Sequence, residues 1–169
     1  MTSGRSIKYL VLPIIAIILD QFIKSAVRTY FHRSGIAELT IIPGFLNLVD
    51  FYNPGGAFGI LQRAPSLFLI LSAIFAVVAL FLMVKISKTD PLLSLGLGFV
   101  AGGALGNLMD RARWGMVYDF VDCHIGNYHW PAFNAADAFI VIGAGLLALS
   151  LLRGSKSTQK KSAQSADKD

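Results

Sequence analysis

Two stretches of the chain, Ser66 to Val84 and Pro91 to Met109, run for 19 residues each without a charged side chain. At about 1.5 Å per helical residue each would measure roughly 28 Å, close to the ~30 Å hydrocarbon core of a bilayer, and both are predicted to be transmembrane helices. Two other apolar stretches reach that length only by taking charge with them. Ala138 to Leu152 is uncharged for 15 residues and spans if it starts near Asn134, which includes Asp137; Tyr9 to Leu19 spans if it is extended through Asp20 and Lys24. The pattern predicts four spans, at about 7–26, 66–84, 91–109 and 134–152, with outer loops at about 27–65 and 110–133. Within the first loop, Glu38 to Tyr52 (ELTIIPGFLNLVDFY) is rich in β-branched and aromatic residues around a Pro43-Gly44 turn. This predicts short strands and a small sheet resting on the outer membrane surface. Gly55 and Gly56 follow, where the backbone can adopt positive φ and approach its neighbours closely.

Composition supports a membrane protein. Of 169 residues, 54% are hydrophobic and 15% charged, with a mean hydropathy of +0.61, which argues against an ordinary soluble domain of this length. The first apolar stretch, preceded by Arg5 and Lys8, has the outline of a cleavable signal peptide, but Asp20 and Lys24 occupy the place where a small-x-small cleavage site belongs. Four spans put both termini on one side. Nine of the 15 Lys and Arg residues share that side: Arg5, Lys8, then Lys85 and Lys88 in the turn KISKTDP, then Arg153, Lys156, Lys160, Lys161 and Lys168. By the positive-inside rule it is cytoplasmic. Residues 153–169 are polar and low in complexity and are expected to form a disordered basic cytoplasmic tail. The net charge of +5 is spread over membrane flanks and tail, so no nucleic-acid partner is expected. The lone Cys123 has no internal disulfide partner, and the HExxH, CxxC and G-x-S-x-G patterns are absent.

Of ten acidic residues, only Asp90, Asp167 and Asp169 fall on the cytoplasmic side of this topology. Asp20 lies near the outer end of the first span, Asp110 directly follows the third, Asp119 and Asp122 lie in the second outer loop, and Asp137 sits in the first turn of the fourth. Each has a plain structural explanation. Asp20 and Lys24 make an i,i+4 pair, Asp110 and Arg111 a boundary pair, and in FNAAD Asn134 is a good N-cap with Asp137 at a favourable place for an anion. Against this, ionisable residues within the apolar boundary are functional by default. If the chain from Asp119 to Asp137 closes on itself, the two carboxylates share a proton and supply an acid and a base around one water, as in aspartic proteases. Which of them is the base is not encoded in the spacing. Asn53, Asn107, Asn134 and Arg111 lie on the same side and can donate to a carbonyl or a carboxylate. Cys123, His124 and His129 form a possible zinc cluster, but their spacing fits no familiar ligand pattern, and no metal or organic cofactor is expected. Trp114, Tyr128 and Trp130 read as interfacial anchors.

Five blocks in order carry a family likeness: LDQFIK at Leu19 to Lys24, YNPGGAFG at Tyr52 to Gly59, GGALGNLMDR at Gly102 to Arg111, VYDFVD at Val117 to Asp122, and FNAADAFIVIG at Phe133 to Gly143. Together, on a four-span hydropathy pattern, they resemble the lipoprotein signal peptidase family, also called signal peptidase II, over nearly the whole chain. The resemblance implies an all-α inner-membrane aspartyl peptidase, occupying residues 1–152, with four transmembrane helices, a small periplasmic β-cradle and a short mobile periplasmic helix. It implies cleavage of diacylglyceryl-modified prolipoproteins on the amino side of the lipidated cysteine, near the periplasmic face, by Asp119 and Asp137. It further implies that Asp20, Lys24, Asn53, Gly55, Asn107, Asp110, Arg111, Asn134 and Ala136 shape or support the site, that Asp122 is a neighbour only, and that globomycin-type compounds inhibit. The chain is expected to act as a monomer in contact with membrane lipid. Two departures stand out. NPGG replaces a form closer to N-x-G-A, so Pro54 and Gly56 alter that loop, and Tyr118 stands where valine is commoner, next to Asp119. The rival from another class is a proton-coupled transporter using the same carboxylates; a membrane assembly factor is a second.

Overall fold

The computed structural model describes residues 3–55, 65–86 and 90–166. Helix α1 (Ser3–Ser34) leads into strands β1 (Glu38–Ile42) and β2 (Leu46–Asn53); helices α2 (Pro65–Ile86) and α3 (Pro91–Trp114) follow; then strands β3 (Val117–Ile125) and β4 (Tyr128–His129) and helix α4 (Ala135–Ala166). The helix ends follow local chemistry. Asp90 caps α3, its side chain accepting from the Leu92 amide at 2.9 Å with Pro91 in the first turn, and Gly115 closes the helix at φ 71. Helix α1 runs about eight residues past its expected end because nothing interrupts it before Gly35, which takes φ 69 and donates to the Phe31 carbonyl. Helix α4 continues to Ala166, whereas residues after Leu152 were expected to be disordered. The Lys, Gln, Ala and Ser residues there extend an already nucleated helix at little cost.

Helix α3 is the centre of the bundle and packs against α4, α2 and α1. Its buried face is built of small residues, Gly96, Gly98, Ala101, Gly102, Gly103 and Gly106, which let neighbouring backbones come close. A Cβ added at Gly143 of α4 would lie 2.6 Å from the Gly96 carbonyl oxygen, and one at Gly103 would collide with the Ala136 carbonyl oxygen. Large apolar side chains point outward instead: Ile18 and Phe22 on α1, Val77 and Phe81 on α2, Val141 and Leu151 on α4. A belt of this kind marks a surface made for lipid or another apolar partner. Among the described residues, α3 and Ala135–Arg153 of α4 are long and apolar enough to cross a membrane, and Leu69–Met83 of α2 forms a shorter apolar helix.

The four strands form one antiparallel sheet in the order β1-β2-β3-β4. The expected strands in Glu38 to Tyr52 are present as β1 and β2, with Gly44 in the turn at φ 76. Half of the sheet was missed: β3 and β4 come from the second outer loop. The short periplasmic helix does not occur among the described residues of the first loop, and Gly56, Arg63 and residues 56–64 lie outside those described.

One irregularity positions the site. Leu48 pairs with Val121, but Phe51 pairs with Asp119, so three steps along β2 match two along β3. This bulge reverses which face the end of β2 presents. Without it Asn53 would lie on the face opposite Asp119; with it the two share a face.

Candidate active site

The chain from Asp119 to Asp137 does close. Phe133 pairs with Val121, its carbonyl accepting from the Phe120 and Val121 amides and its own amide donating to the Val121 carbonyl at 3.0 Å. This sets Asn134 beside Asp119 and starts α4 there. The Asn134 side-chain amide donates to Asp119 Oδ1 at 2.6 Å, while the Asn134 backbone N–H donates to Asp137 Oδ2 at 3.1 Å and its Oδ1 accepts from the Asp137 N–H at 3.1 Å. The latter two bonds are a reciprocal cap. Asn134 is therefore both the expected helix cap and the bridge between two carboxylates.

Both carboxylates have a second partner. Asn53 Nδ2 donates to Asp119 Oδ2 at 2.8 Å, and Asn53 Oδ1 accepts from the Gly55 N–H at 3.1 Å, where the backbone turns at φ 149. Asn107 Nδ2 donates to Asp137 Oδ1 at 2.7 Å, and its Oδ1 accepts from Asn134 at 3.1 Å and from Lys24 Nζ at 3.1 Å. Asp119, Asp137, Asn53, Asn107 and Arg111 line one open cavity of about 410 Å³ whose other wall is Tyr128 and Trp130 to Phe133. Arg111 is electrostatically coupled to Asp137, Asp119 and Asp110.

Burial raises the Asp119 carboxyl from its ordinary 3.8 to about 6, with the charge of Asp137 adding to the rise and the amides of Asn53 and Asn134 working against it. Asp137 sits in the first turn of α4 and accepts from the Asn107 side-chain amide and the Asn134 backbone N–H. The two carboxylates have unlike surroundings.

Beneath the cavity lies a fully buried ion cluster. Lys24 Nζ reaches Asp20 at 2.9 Å and Asp110 at 2.8 Å, and all three residues are at most 1% exposed. Asp20 also accepts from the Ala136 N–H at 2.9 Å, and a Cβ at Gly106 would lie 2.6 Å from Asp20 Oδ2. The cluster thus joins α1, α3 and the first turn of α4. Gln21 belongs to it, donating to Asp110 at 2.9 Å and Asp20 at 3.1 Å. It was missed in the sequence although it lies inside the LDQFIK block, because a lone amide next to a charged pair carries no spacing signal.

All the candidate site residues fall within this assembly, and three other features are sorted by strand alternation. Tyr118 points away from Asp119, is 1% exposed, and packs with Tyr52 at 5.0 Å under the Arg28 guanidinium at 4.8 Å. Trp114 joins the same stack, 5.4 Å from Arg28. Asp122 is also on that face and meets His129, not the cavity. Cys123 alternates away from His124, so Cys123, His124 and His129 do not come together; Asp122, His124 and His129 do.

A family model described as Signal peptidase (SPase) II matches residues 12–153. The lipoprotein signal peptidase of Syntrophus aciditrophicus (strain SB) is 41% identical over 157 residues, 89% of this chain and 95% of that protein. The lipoprotein signal peptidase of Polynucleobacter necessarius subsp. necessarius (strain STIR1) is 38% identical over 169 residues, covering 98% and 99%. A bacterial membrane enzyme solved by the in meso method at 2.3 Å resolution superposes with a TM-score of 0.74 at 30% identity, covering 93% of each chain. None of these supports the transporter alternative.

Proposed function

The chain belongs to the signal peptidase II family, and we propose that Asp119 and Asp137 are the catalytic dyad with which it removes signal peptides from prolipoproteins. It is a peptidase and an integral protein of the bacterial inner membrane. The observation that carries the dyad is the single buried Asn134 bridging two carboxylates that line one open cavity.

Unlike surroundings divide the roles. Asp137, in the first turn of α4, is the base; Asp119, whose carboxyl burial raises to about 6, is the acid. A water between them gives a proton to Asp137 as its oxygen bonds to the scissile carbonyl carbon, and Asp119 gives its proton to the carbonyl oxygen. In collapse of the tetrahedral intermediate, Asp137 returns its proton to the leaving nitrogen, the C–N bond breaks, and Asp119 recovers a proton from the collapsing hydroxyl. Asn53, Asn107 and Asn134 hold the carboxylates in register, Arg111 stabilises anionic charge at the cavity mouth, and the Asp20, Lys24, Asp110 cluster fixes the helices that carry them.

The substrate in this reading is a diacylglyceryl-modified prolipoprotein cleaved on the amino side of its lipidated cysteine. The four helices all span, with both termini cytoplasmic, residues 1–152 forming one domain and the sheet covering the periplasmic end. The outward Ile18, Phe22, Val77, Phe81 and Val141 support lipid contact along α1, α2 and α4, and a cavity that sets two carboxylates against apolar walls suits a scissile bond held at the membrane surface. The protein acts as a monomer and is blocked by globomycin-type compounds. Incubation of the purified protein with a diacylated prolipoprotein tests the whole reading: signal peptide should be released without globomycin and not with it, and no release in either case contradicts it.

A further inference from the structure

The reverse face of the sheet carries a second cluster that the dyad does not use. His124 and His129 are directly opposed in the β3–β4 ladder, joined through the Gly126-Asn127 turn with Gly126 at φ 58. Their rings stack with centroids 4.8 Å apart. Asp122, two residues before His124 and so on the same face, approaches His129 Nδ1 with its two oxygens at 2.9 and 3.0 Å and His124 Nδ1 at 3.8 Å. One donor atom from each of the three lies within 4.8 Å of the others. Asp122 and His124 side chains are each 13% exposed.

Two buried polar atoms here have no hydrogen-bond partner among the described residues: His124 Nδ1 and Asn47 Oδ1. Asn47 is 5% exposed and is the direct partner of Asp122 in the β2–β3 ladder, which places it on the same face. Buried acceptors and ring nitrogens left unpaired are costly, and a cation relieves them together. Hydrogen bonding between His129 and Asp122 alone explains neither orphan.

We propose that Asp122, His124 and His129 form a binding site for one divalent transition-metal ion of the zinc class, with Asn47 Oδ1 or water completing it. Two imidazoles and a carboxylate suit Zn²⁺, Cu²⁺, Ni²⁺ or Co²⁺ and not the all-oxygen preference of Ca²⁺ or Mg²⁺. Metal bonds of about 2.0–2.2 Å hold donor atoms about 3.3 Å apart in a tetrahedral site, so side-chain rotation closes the cluster without moving the strands. Binding replaces the His129 hydrogen bond to Asp122 and requires neutral imidazoles. The ion fastens β4 to β3. The opposite face of β3 carries Asp119, and the chain leaving β4 becomes the Trp130 to Phe133 wall of the cavity, so the metal steadies one wall of the active site from behind.

The test uses the full chain in detergent, free of an affinity tag and stripped with a chelator. Zn²⁺ titration by calorimetry should give one equivalent bound. Cu²⁺ should give an electron paramagnetic resonance spectrum with coupling to two imidazole nitrogens, a readout that needs no variant. His124→Ala, His129→Ala and Asp122→Asn should each weaken Zn²⁺ binding by at least about tenfold, whereas His32→Ala, the third histidine of the chain, should leave it unchanged. Failure of the wild type to bind a stoichiometric ion, or a Cu²⁺ spectrum with fewer than two imidazoles, overturns the proposal whether or not the variants fold. Because none of these measurements reads prolipoprotein cleavage, the result stands apart from the assignment of the dyad.

Discussion

Asn134 touches Asp119 through its side-chain amide at 2.6 Å and Asp137 through its backbone N–H at 3.1 Å, so one residue sets the spacing of two carboxylates that are 18 positions apart in the chain. Helix capping and dyad bridging are separable by substitution. Asn134→Ser keeps a good N-cap, so the capping contribution should change by only a few tenths of a kcal/mol, while loss of the buried amide bonds to Asp119 and Asn107 should lower stability by about 1–3 kcal/mol. It loses the donor to Asp119, and kcat for prolipoprotein cleavage should fall about 10²-fold or more. Thermal unfolding and single-turnover cleavage of the same preparation check both halves.

The raised Asp119 carboxyl makes a signed prediction. Its folded-state value is about 6 against an ordinary 3.8, so the protonated acid is present at low pH and is lost as pH rises through about 6. The kcat/KM profile should therefore decline on the alkaline side of a limb near that value. The native state also binds the proton more tightly than the unfolded chain does, so stability falls as pH rises from about 4 to about 6. Denaturant melts at fixed intervals across that range should follow this slope.

Lys24 compensates two buried carboxylates at once. Lys24→Met should destabilise the protein by about 3–5 kcal/mol, because Asp20 and Asp110 would remain buried without their cation. Adding Asp20→Asn should recover part of the loss. Unfolding midpoints in detergent for the single and double variants measure the coupling.

Close helix approach predicts a contrast between two glycines. Gly103→Ala drives a methyl group into the Ala136 carbonyl oxygen and to 2.8 Å from Ile140. The cost should be about 1–3 kcal/mol, with slower cleavage because Ala136 sits between Asn134 and Asp137. Gly145→Ala, with nothing within 4 Å, should be neutral or stabilising by up to about 1 kcal/mol. Melting curves and cleavage rates distinguish them.

Much of this was legible in the sequence, and the exceptions are physical. The uncharged runs marked α2 and α3, and the FNAAD cap marked the start of α4, because burial and capping depend on local residue type. Charge near an apolar boundary is conspicuous and marked Asp20, Asp110 and Asp137 as candidates, whereas a supporting role for Asp20 and Asp110 came only from the family resemblance. Strands β3 and β4 were missed because VYDFVDCHI alternates only in its context: both of its faces are largely covered, one by the cavity and one by the Arg28 stack. The bulge at Val49 and Asp50 left no trace in composition, yet it decides that Asn53 reaches Asp119. The His124, His129, Asp122 grouping likewise depends on the hairpin register and on strand alternation, which bring Asp122 and not Cys123 to the two imidazoles.

The most direct test of the dyad is single-turnover cleavage of a diacylated prolipoprotein by Asp119→Asn and Asp137→Asn proteins made separately. Each should still bind the precursor but cleave it about 10²–10⁴-fold more slowly than the wild type. Cleavage within a few-fold of wild type by either variant would contradict the account.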